Sequence, residues 1–222
     1  MSGEILVVRR GTVPYEEALE LQRELAARRQ QEEIGDVLLV LQHPPVYTRG
    51  RRSRPEELPM GASWYEAQGI EVRDTDRGGL VTYHGPGQLV AYPIVGLRGY
   101  GDDVHEYVRG LEQVMVGALG KAGVRAGTIE GLTGVWVGTR KIGSIGLHVS
   151  RGVTTHGLAI NVNNDLQPFE WVVPCGIEGV AMTSLTRELG AEQDFNAFAA
   201  TVVDSYAEVF EREVVVDDSV AA

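Results

Sequence analysis

The residues of this chain best suited to covalent chemistry are a lone thiol and a rare amine. Cys175 is the sole cysteine among 222 residues and lies in the segment W-V-V-P-C-G-I. Lysine occurs only at 121 and 141, and Lys141 lies in R-K-I-G-S-I-G. Arginine keeps its proton in proteins, whereas a lysine amine can be tuned to release it. The pair is a candidate nucleophile with a proton partner. The alternative is an inert buried thiol and a surface amine.

The neighbours of Cys175 favour a reactive position. Pro174 and Gly176 predict a loop, and catalytic residues concentrate on loops. A cation such as Lys141 beside the thiol would lower the thiol pKa and raise the thiolate fraction. Because 34 positions separate the two residues in the sequence, only the fold can bring them together.

Lys141 is predicted to follow a hairpin turn at Gly138-Thr139. Strand alternation would place it on one face with Gly143 and Ile145, and would place Arg140 and Ser144 on the other face. A lysine among glycine and isoleucine is partly removed from water, which disfavours its charged form. The alternative is an ordinary edge-strand lysine.

The glycine-rich run R-G-G-L-V-T-Y-H-G-P-G-Q, residues 77–88, is a third candidate element. Its glycines would let backbone N–H groups approach a ligand closely, although a hairpin with a Gly-Pro-Gly turn would also explain them. The histidines at 43, 84, 105, 148 and 156 lack metal-binding spacing, so no metal site is predicted. A dyad of Cys175 with His84 or His156 remains a hydrolase-type alternative.

These residues must be positioned by an α+β fold. Apolar periodicity predicts three helices, over 14–31, over 102–122 and from Asp194 onward, with Asp194 as the candidate N-cap of the last one. Strands are predicted over 5–9, 37–42, 80–83, 89–95 and 156–162, with a hairpin over 134–148. The order is not a regular βαβ alternation. With no linker or repeat, we predict a single domain over 1–222.

Composition excludes several classes of function. The net charge of −11 argues against a non-specific nucleic-acid binder. We see neither a signal peptide nor an apolar run of membrane-spanning length. A single cysteine excludes an internal disulfide framework. These features predict a cytoplasmic protein without nucleic-acid or membrane partners.

Six segments together resemble the octanoyl-[acyl carrier protein]–protein octanoyltransferases, also called lipoyl(octanoyl) transferases. The resemblance covers most of the chain from Val37 to Leu185. The matching segments are H-P-P-V-Y-T-R-G from His43, R-G-G-L-V-T-Y-H-G-P-G-Q from Arg77, K-I-G-S-I-G from Lys141, H-G-L-A-I-N from His156, P-C-G-I from Pro174 and T-S-L from Thr183.

The resemblance implies a mixed, largely antiparallel sheet flanked by helices, as in the catalytic module of biotin and lipoate protein ligases. It implies transfer of an octanoyl group from acyl carrier protein to a lysine of lipoyl domains, the first step of lipoate assembly. The implied targets are lipoyl domains of 2-oxoacid dehydrogenase complexes and the glycine cleavage H protein. No ATP, metal or other cofactor is expected.

By the same resemblance, Cys175 is the acyl-thioester nucleophile, and Lys141 lowers its pKa and handles the proton. The implied substrate-binding residues are Arg77, Gly78, Gly79, Leu80, Val81, Thr82, Tyr83, His84, Ser144, Ile145, Gly146, Gly157, Leu158 and Ala159. Outside these motifs, the arginines at 49, 51, 52 and 54 form the densest basic cluster. They would steer an acidic carrier protein to the site, or form an ordinary solvated loop.

Three other functions stay open on the sequence. An ATP-dependent lipoate–protein ligase shares the implied fold and needs no cysteine nucleophile. A non-catalytic lipoyl-domain binding module would bind without forming a covalent adduct. A Cys–His thioesterase would release free octanoate.

Overall fold

Two β-sheets and five α-helices make up the computed structural model, which describes residues 3–172 and 180–216. The strands are β1 Gly3–Thr12, β2 Asp36–Gln42, β3 Val46–Arg49, β4 Glu71–Asp74, β5 Val81–His84, β6 Gln88–Ile94, β7 Gly127–Ile129, β8 Leu132–Val137, β9 Arg140–Ser150, β10 Val153–Asn161 and β11 Arg212–Val216. The helices are α1 Tyr15–Gln30, α2 Ala62–Ala67, α3 Val104–Lys121, α4 Leu185–Leu189 and α5 Phe195–Phe210.

The larger sheet has eight strands in the order β11-β1-β2-β6-β10-β9-β8-β7. Strand β1 pairs in parallel with β11 and β2, and every later pairing in this sheet is antiparallel. A three-stranded sheet, β4-β3-β5, has one parallel and one antiparallel pairing. The predicted mixed, largely antiparallel α+β fold is confirmed.

Helices cover both faces of the large sheet. On one face, Leu38 and Leu89 pack in a core with Leu111 of α3 and Val202 of α5. On the other face, the alternate residues of the same strands pack against α1. Every residue of β6 is buried, as expected for a central strand covered on both sides. Full burial of each large apolar side chain contributes about 1.5–3 kcal/mol.

Capping residues fix where two of the helices begin. The Asp103 carboxylate accepts the backbone N–H groups of His105 and Glu106 at the start of α3. The Asp194 carboxylate accepts the N–H of Ala197 at the start of α5. Each such cap stabilises its helix by about 1 kcal/mol. The prediction of a cap at Asp194 is confirmed.

Of the two glycine-containing turns considered from the sequence, only one joins the strands of a hairpin. The hairpin of β8 and β9, with its turn at Gly138-Thr139, is confirmed. The residues 85–87 do not join a hairpin, because β5 belongs to the small sheet and β6 to the large one. Gly87 has a φ of +84°, and a Cβ there would lie 2.7 Å from the backbone nitrogen of Asn164. This turn therefore places His84 at the junction of the two sheets.

Candidate active site

A cavity lies where β5 and the preceding glycine-rich segment face β9 and β10. Twelve of the fourteen predicted substrate-binding residues line it: Arg77, Gly79, Leu80, Val81, Thr82, His84, Ser144, Ile145, Gly146, Gly157, Leu158 and Ala159. Lys141 also lines this cavity. Three segments separated in the sequence thus meet around one space.

The other two predicted residues lie elsewhere. Gly78 lines an adjoining groove. Tyr83 packs in an aromatic cluster, with its ring centroid 5.4 Å from those of Tyr47 and Phe169. Thr82 and His84 share one face of β5 and line the cavity, whereas Tyr83 points to the opposite face, into a core cluster. Val81, on the same face as Tyr83, belongs to that cluster and also borders the cavity.

Lys141 is buried, with only 5% of its surface exposed. Its Nζ lies 5.3 Å from the centroid of the Trp136 ring, a cation–π distance. Its side chain passes over Gly134, where a Cβ would lie 2.8 Å from Lys141 Cε. The predicted alternative of an ordinary edge-strand lysine does not describe this position.

A bulge changes which face Lys141 occupies. Val135 pairs with Gly143 and Trp136 with Lys141, so β9 carries one extra residue, Ile142, against β8. A β-bulge interrupts the strict alternation of side chains. Ile142 and Gly143 both face the core of α3, where Ile142 packs and a Cβ at Gly143 would meet Met115. The predicted grouping of Lys141 with Gly143 and Ile145, apart from Ser144, was therefore wrong.

A chain of hydrogen bonds connects the separate motifs behind the cavity. His84 Nδ1 bonds Gln88 Oε1 at 2.7 Å, and Gln88 Nε2 donates to Asn161 Oδ1 at 2.9 Å. Asn161 Nδ2 donates to the carbonyl of Thr183 at 3.0 Å, and the Thr183 N–H donates to the carbonyl of Lys141 at 2.9 Å. All five residues are buried. This satisfied network holds the motifs in one arrangement.

Arg77 holds the glycine-rich segment in place. Its guanidinium donates to the Thr48 carbonyl at 2.6 Å and to the Thr48 hydroxyl at 2.9 and 3.1 Å. It also donates to the carbonyls of Gly78 at 3.0 Å and Leu80 at 2.7 Å. The planar guanidinium suits such a set of acceptors. Arg77 therefore lines the cavity and also fixes the backbone of the glycine-rich segment that forms one of its walls.

Three cavity residues were not among the predicted binding residues. Tyr15 of α1, Tyr92 of β6 and His156 of β10 all line the cavity. Tyr15 and Tyr92 fit the apolar patterns of their elements, so only the fold reveals their place. His156 has a φ of +57°, which is rare for residues other than glycine. Its Nε2 contacts Asp76 Oδ1 at 2.7 Å.

The histidines at the cavity are poorly suited to act as bases. Burial lowers the pKa of His84 to about 3, with the neighbouring His43 acting in the same direction. Burial also lowers the pKa of His156, against the opposing effect of Asp76. An effective general base has a pKa near the working pH. The Cys–His alternative is thus disfavoured for His84 on chemical grounds.

The predicted nucleophile, Cys175, lies outside the described residues, but the segment after it contacts Lys141. The Lys141 N–H donates to the carbonyl of Ala181 at 2.9 Å, and Met182 forms a parallel bridge with Lys141. Arg140 Nη2 donates to both oxygens of Glu188 at 2.9 Å. Cys175 stands six residues before Ala181 in the sequence.

Residues 3–172 and 180–216 contain no group of three or more His, Cys, Asp or Glu side chains arranged to hold a metal ion. None of the helices in these ranges combines the length and apolar character needed to cross a membrane.

Known structures share this fold. A bi-partite lipoate protein ligase from Thermoplasma acidophilum, studied with its E2 lipoyl domain, superposes with a TM-score of 0.72 at 18% identity, covering 100% of this chain and 91% of that one. A lipoate-protein ligase A bound with ATP gives a TM-score of 0.67 at 16% identity, covering 100% and 93%. The biotin protein ligase of Aquifex aeolicus gives 0.54 at 14% identity, covering 94% and 70%.

Sequence relatives are closer. The octanoyltransferase of Solibacter usitatus is 47% identical over 212 residues, 96% of each chain. Those of Chloroflexus aggregans and Corynebacterium glutamicum are 47% and 41% identical, covering 90% and 96% of this chain and 92% and 85% of theirs. A family model described as the lipoyl protein ligase A/B catalytic domain matches residues 14–207. The chain therefore belongs to this catalytic-domain family and, within it, to the octanoyltransferases, which are acyltransferases.

Proposed function

We propose that the protein transfers an octanoyl group from acyl carrier protein to a lysine of a lipoyl domain, through a thioester on Cys175. The observation that best supports this is the meeting of the three predicted binding segments and Lys141 around one cavity. Its wall includes the apolar side chains of Leu80, Val81, Ile145 and Leu158, which suit a saturated acyl chain.

The first step exchanges one thioester for another. The Cys175 thiolate attacks the carbonyl carbon of the carrier's thioester, the bond to the carrier sulfur breaks, and the carrier leaves as a thiol after taking a proton from the Lys141 ammonium. Because the bond formed resembles the bond broken, the step needs neither ATP nor a metal. Lys141 stabilises the thiolate through its charge, as a cation beside a thiol lowers the thiol pKa.

The second step forms an amide. The acceptor lysine amine attacks the acyl-cysteine carbonyl, the carbon–sulfur bond breaks, and Cys175 leaves as a thiolate. The attacking nitrogen must lose a proton, and in this proposal the Lys141 amine, left neutral by the first step, accepts it and becomes an ammonium again. The proposed acceptors are lipoyl domains of 2-oxoacid dehydrogenase complexes and the glycine cleavage H protein. The T. acidophilum ligase studied with its E2 lipoyl domain supports an acceptor of this kind.

The test follows octanoylation of a purified lipoyl domain by mass spectrometry, with octanoyl-carrier as donor. Lys141→Arg keeps a positive charge but loses the titratable amine, so we expect turnover to fall by at least 100-fold. Lys121→Arg is the matched control, because Lys121 is exposed and paired with Glu208, and we expect it to behave as wild type.

Other outcomes would contradict the proposal. Full activity of Lys141→Arg would remove the proton role. Product formed from free octanoate and ATP without carrier would indicate a ligase. Stoichiometric binding without transfer would indicate a binding module, and release of free octanoate as the main product would indicate a thioesterase.

A further inference from the structure

The backbone of Lys141 is bonded to a short segment, residues 181–183, that belongs to no strand. The Lys141 N–H donates to the Ala181 carbonyl at 2.9 Å, and the Lys141 carbonyl accepts the Thr183 N–H at 2.9 Å. Met182 forms an isolated parallel bridge with Lys141 between these two bonds. The pairing of β9 with β10 begins at Gly143, so the segment 181–183 takes the place of β10 beside Lys141.

This segment needs support from side chains. An isolated bridge lacks the successive cross-strand pairs that stabilise a sheet, and β8, on the other side of Lys141, is bulged at this point. The position of the Lys141 backbone therefore depends on what holds residues 181–183 in place.

Thr183 holds the segment through its carbonyl and its side chain. The residue is fully buried. Its carbonyl accepts from Asn161 Nδ2 at 3.0 Å, and its hydroxyl donates to Glu188 Oε1. Each polar group of Thr183 is thus engaged, the N–H with Lys141, the carbonyl with β10 and the hydroxyl with Glu188.

Helix α4 returns Glu188 to Thr183. The Ser184 hydroxyl accepts the Arg187 N–H at 3.2 Å, and this cap starts the helix directly after Thr183. The Glu188 N–H then donates to the Ser184 carbonyl at 3.0 Å. One turn of helix therefore brings the Glu188 carboxylate back to the Thr183 hydroxyl.

Arg140, the residue before Lys141, fixes the direction of the Glu188 carboxylate. Its Nε donates to Glu188 Oε1 at 3.1 Å, and its Nη2 donates to both carboxylate oxygens at 2.9 Å. Such a forked pair has a defined geometry. The Glu188 side chain is only 14% exposed, so solvent screens this pair less than a fully exposed one. The contacts form a closed set that starts at Lys141 and returns to its neighbour Arg140.

We propose that Thr183, Glu188 and Arg140 form a clamp of positioning residues for acyl transfer, an assignment that rests on the function proposed above. None of the three lines the cavity or the adjoining groove, so they act through Lys141. The clamp fixes the backbone from which the Lys141 amine reaches the cavity. A displacement of about 1 Å at a reacting group can slow a reaction about 100-fold.

The clamp also gives a physical role to the T-S-L segment that begins at Thr183. Thr183 bonds both Lys141 and Glu188. Ser184 caps α4, and Leu185 packs in the core beneath α3 and α5. The segment thereby joins the core of the protein to the backbone of Lys141.

The first test separates kcat from KM in octanoyl transfer from octanoyl-carrier to a lipoyl domain. Thr183→Val keeps the shape of the side chain but removes the hydroxyl. We expect kcat to fall about 10- to 100-fold while both KM values stay within about 2-fold of wild type. Thr183→Ser keeps the hydroxyl and should recover most of the wild-type kcat.

Thr154→Val is the matched control for a purely structural effect. Thr154 is also fully buried, and its hydroxyl donates to the Pro93 carbonyl at 2.6 Å. This variant should lose stability in urea unfolding, as Thr183→Val does, but should keep the wild-type kcat. A wild-type kcat in Thr183→Val, or a rise in KM without a fall in kcat, would overturn the proposal.

A double-mutant cycle tests whether the side chains act as one clamp. Arg140→Met should lower kcat about 3- to 30-fold. Combined with Thr183→Val, it should slow the reaction by no more than about 2-fold beyond Thr183→Val alone, because both changes break the same clamp. Effects that multiply in full would overturn the clamp. Glu208→Gln, which breaks the exposed pair with Lys121, should leave kcat unchanged.

The third test needs no acyl donor. Cys175 is the sole cysteine, so the pH dependence of its alkylation by iodoacetamide reports how strongly Lys141 favours the thiolate. Lys141→Met gives the profile without the amine. Thr183→Val should move the pH of half-maximal alkylation at least about half-way from wild type towards Lys141→Met. Thr154→Val should keep the wild-type profile.

These measurements distinguish a failure of the clamp from a failure of the proposed function. If wild type transfers no octanoyl group, the proposed function fails, and the positioning role fails with it. If wild type transfers the group and Lys141→Met shifts the alkylation profile, but Thr183→Val changes neither kcat nor the profile, only the positioning role fails. Because Arg140 is 41% exposed, Arg140→Met provides the same comparison if Thr183→Val does not fold, and a wild-type kcat and profile in it would overturn the clamp.

Discussion

His43 allows a quantitative prediction of how acid destabilises the fold. The residue is fully buried beside the cavity. Its Nδ1 contacts the carbonyl of Val13 at 2.8 Å, so this nitrogen carries the proton of the neutral ring. Its Nε2 therefore accepts from the Tyr92 hydroxyl at 2.7 Å. The site fits a neutral imidazole, and burial lowers the pKa of His43 from 6.5 to about 4.

The sign and size of the effect follow from proton linkage. Between the unfolded pKa of 6.5 and the folded pKa of about 4, the unfolded chain binds more protons than the folded protein. Stability is therefore retained above pH 6.5 and lost as the pH falls towards 4. At about pH 5, roughly 97% of unfolded molecules and about 9% of folded ones carry the proton, which costs about 2 kcal/mol of stability.

The assay is urea unfolding followed by fluorescence at about pH 7.5 and pH 5. Wild type should lose about 2 kcal/mol more than His43→Gln between these conditions. The lowered pKa of His156 acts in the same direction in both proteins and cancels from the difference. The contribution of His43 to the lowered pKa of His84 requires a charged His43, and at about pH 5 about nine in ten folded molecules carry a neutral one. Asp76, whose pKa the hydrogen bond from His156 lowers to about 2, loses its contribution only below about pH 4.

The control is His105→Gln, because His105 is exposed in the folded protein. This variant should follow wild type at both pH values. An equal loss of stability in wild type and His43→Gln would refute the argument that burial keeps His43 neutral.

Two further predictions concern the cavity wall. Gly157→Ala should lower the free energy of unfolding by about 1–3 kcal/mol in urea, because the new Cβ would lie 2.1 Å from the Ala91 carbonyl oxygen. Gly127→Ala, which has open space around it, should lower it much less. Equal losses of stability in the two variants would contradict the packing argument. Arg77→Lys should lower the free energy of unfolding by about 1–3 kcal/mol and slow octanoyl transfer. The reason is that an ammonium cannot make all the hydrogen bonds of the guanidinium to Thr48, Gly78 and Leu80. Wild-type stability and turnover in this variant would show that these hydrogen bonds do not hold the glycine-rich segment in place.

Local patterns in the sequence predicted the elements well. Apolar periodicity located α1, α3 and α5, and the Asp194 cap marked the start of α5. Apolar runs bounded by turn residues located the central strands, and Gly138-Thr139 marked the turn of the β8–β9 hairpin. These features depend on neighbours close in the sequence, so the sequence alone reveals them.

Features that depend on distant contacts were not predictable in this way. The assignment of β5 and β6 to different sheets depends on pairings with β3 and β2. The bulge at Ile142 has no signal in the alternation of β9 itself. Tyr15 and Tyr92 line the cavity because α1 and β6 pack beside it. The motif residues were identifiable by resemblance, but the hydrogen-bond chain from His84 to Lys141 was not.

The central claim is that the octanoyl group passes through Cys175. The most direct test is intact-protein mass spectrometry after brief incubation with octanoyl-carrier in the absence of a lipoyl domain. Wild type should gain the mass of one octanoyl group, and hydroxylamine should remove it, as expected of a thioester. Cys175→Ser should not gain this mass at the wild-type rate. Accumulation of the same adduct at the wild-type rate in Cys175→Ser would contradict the central claim.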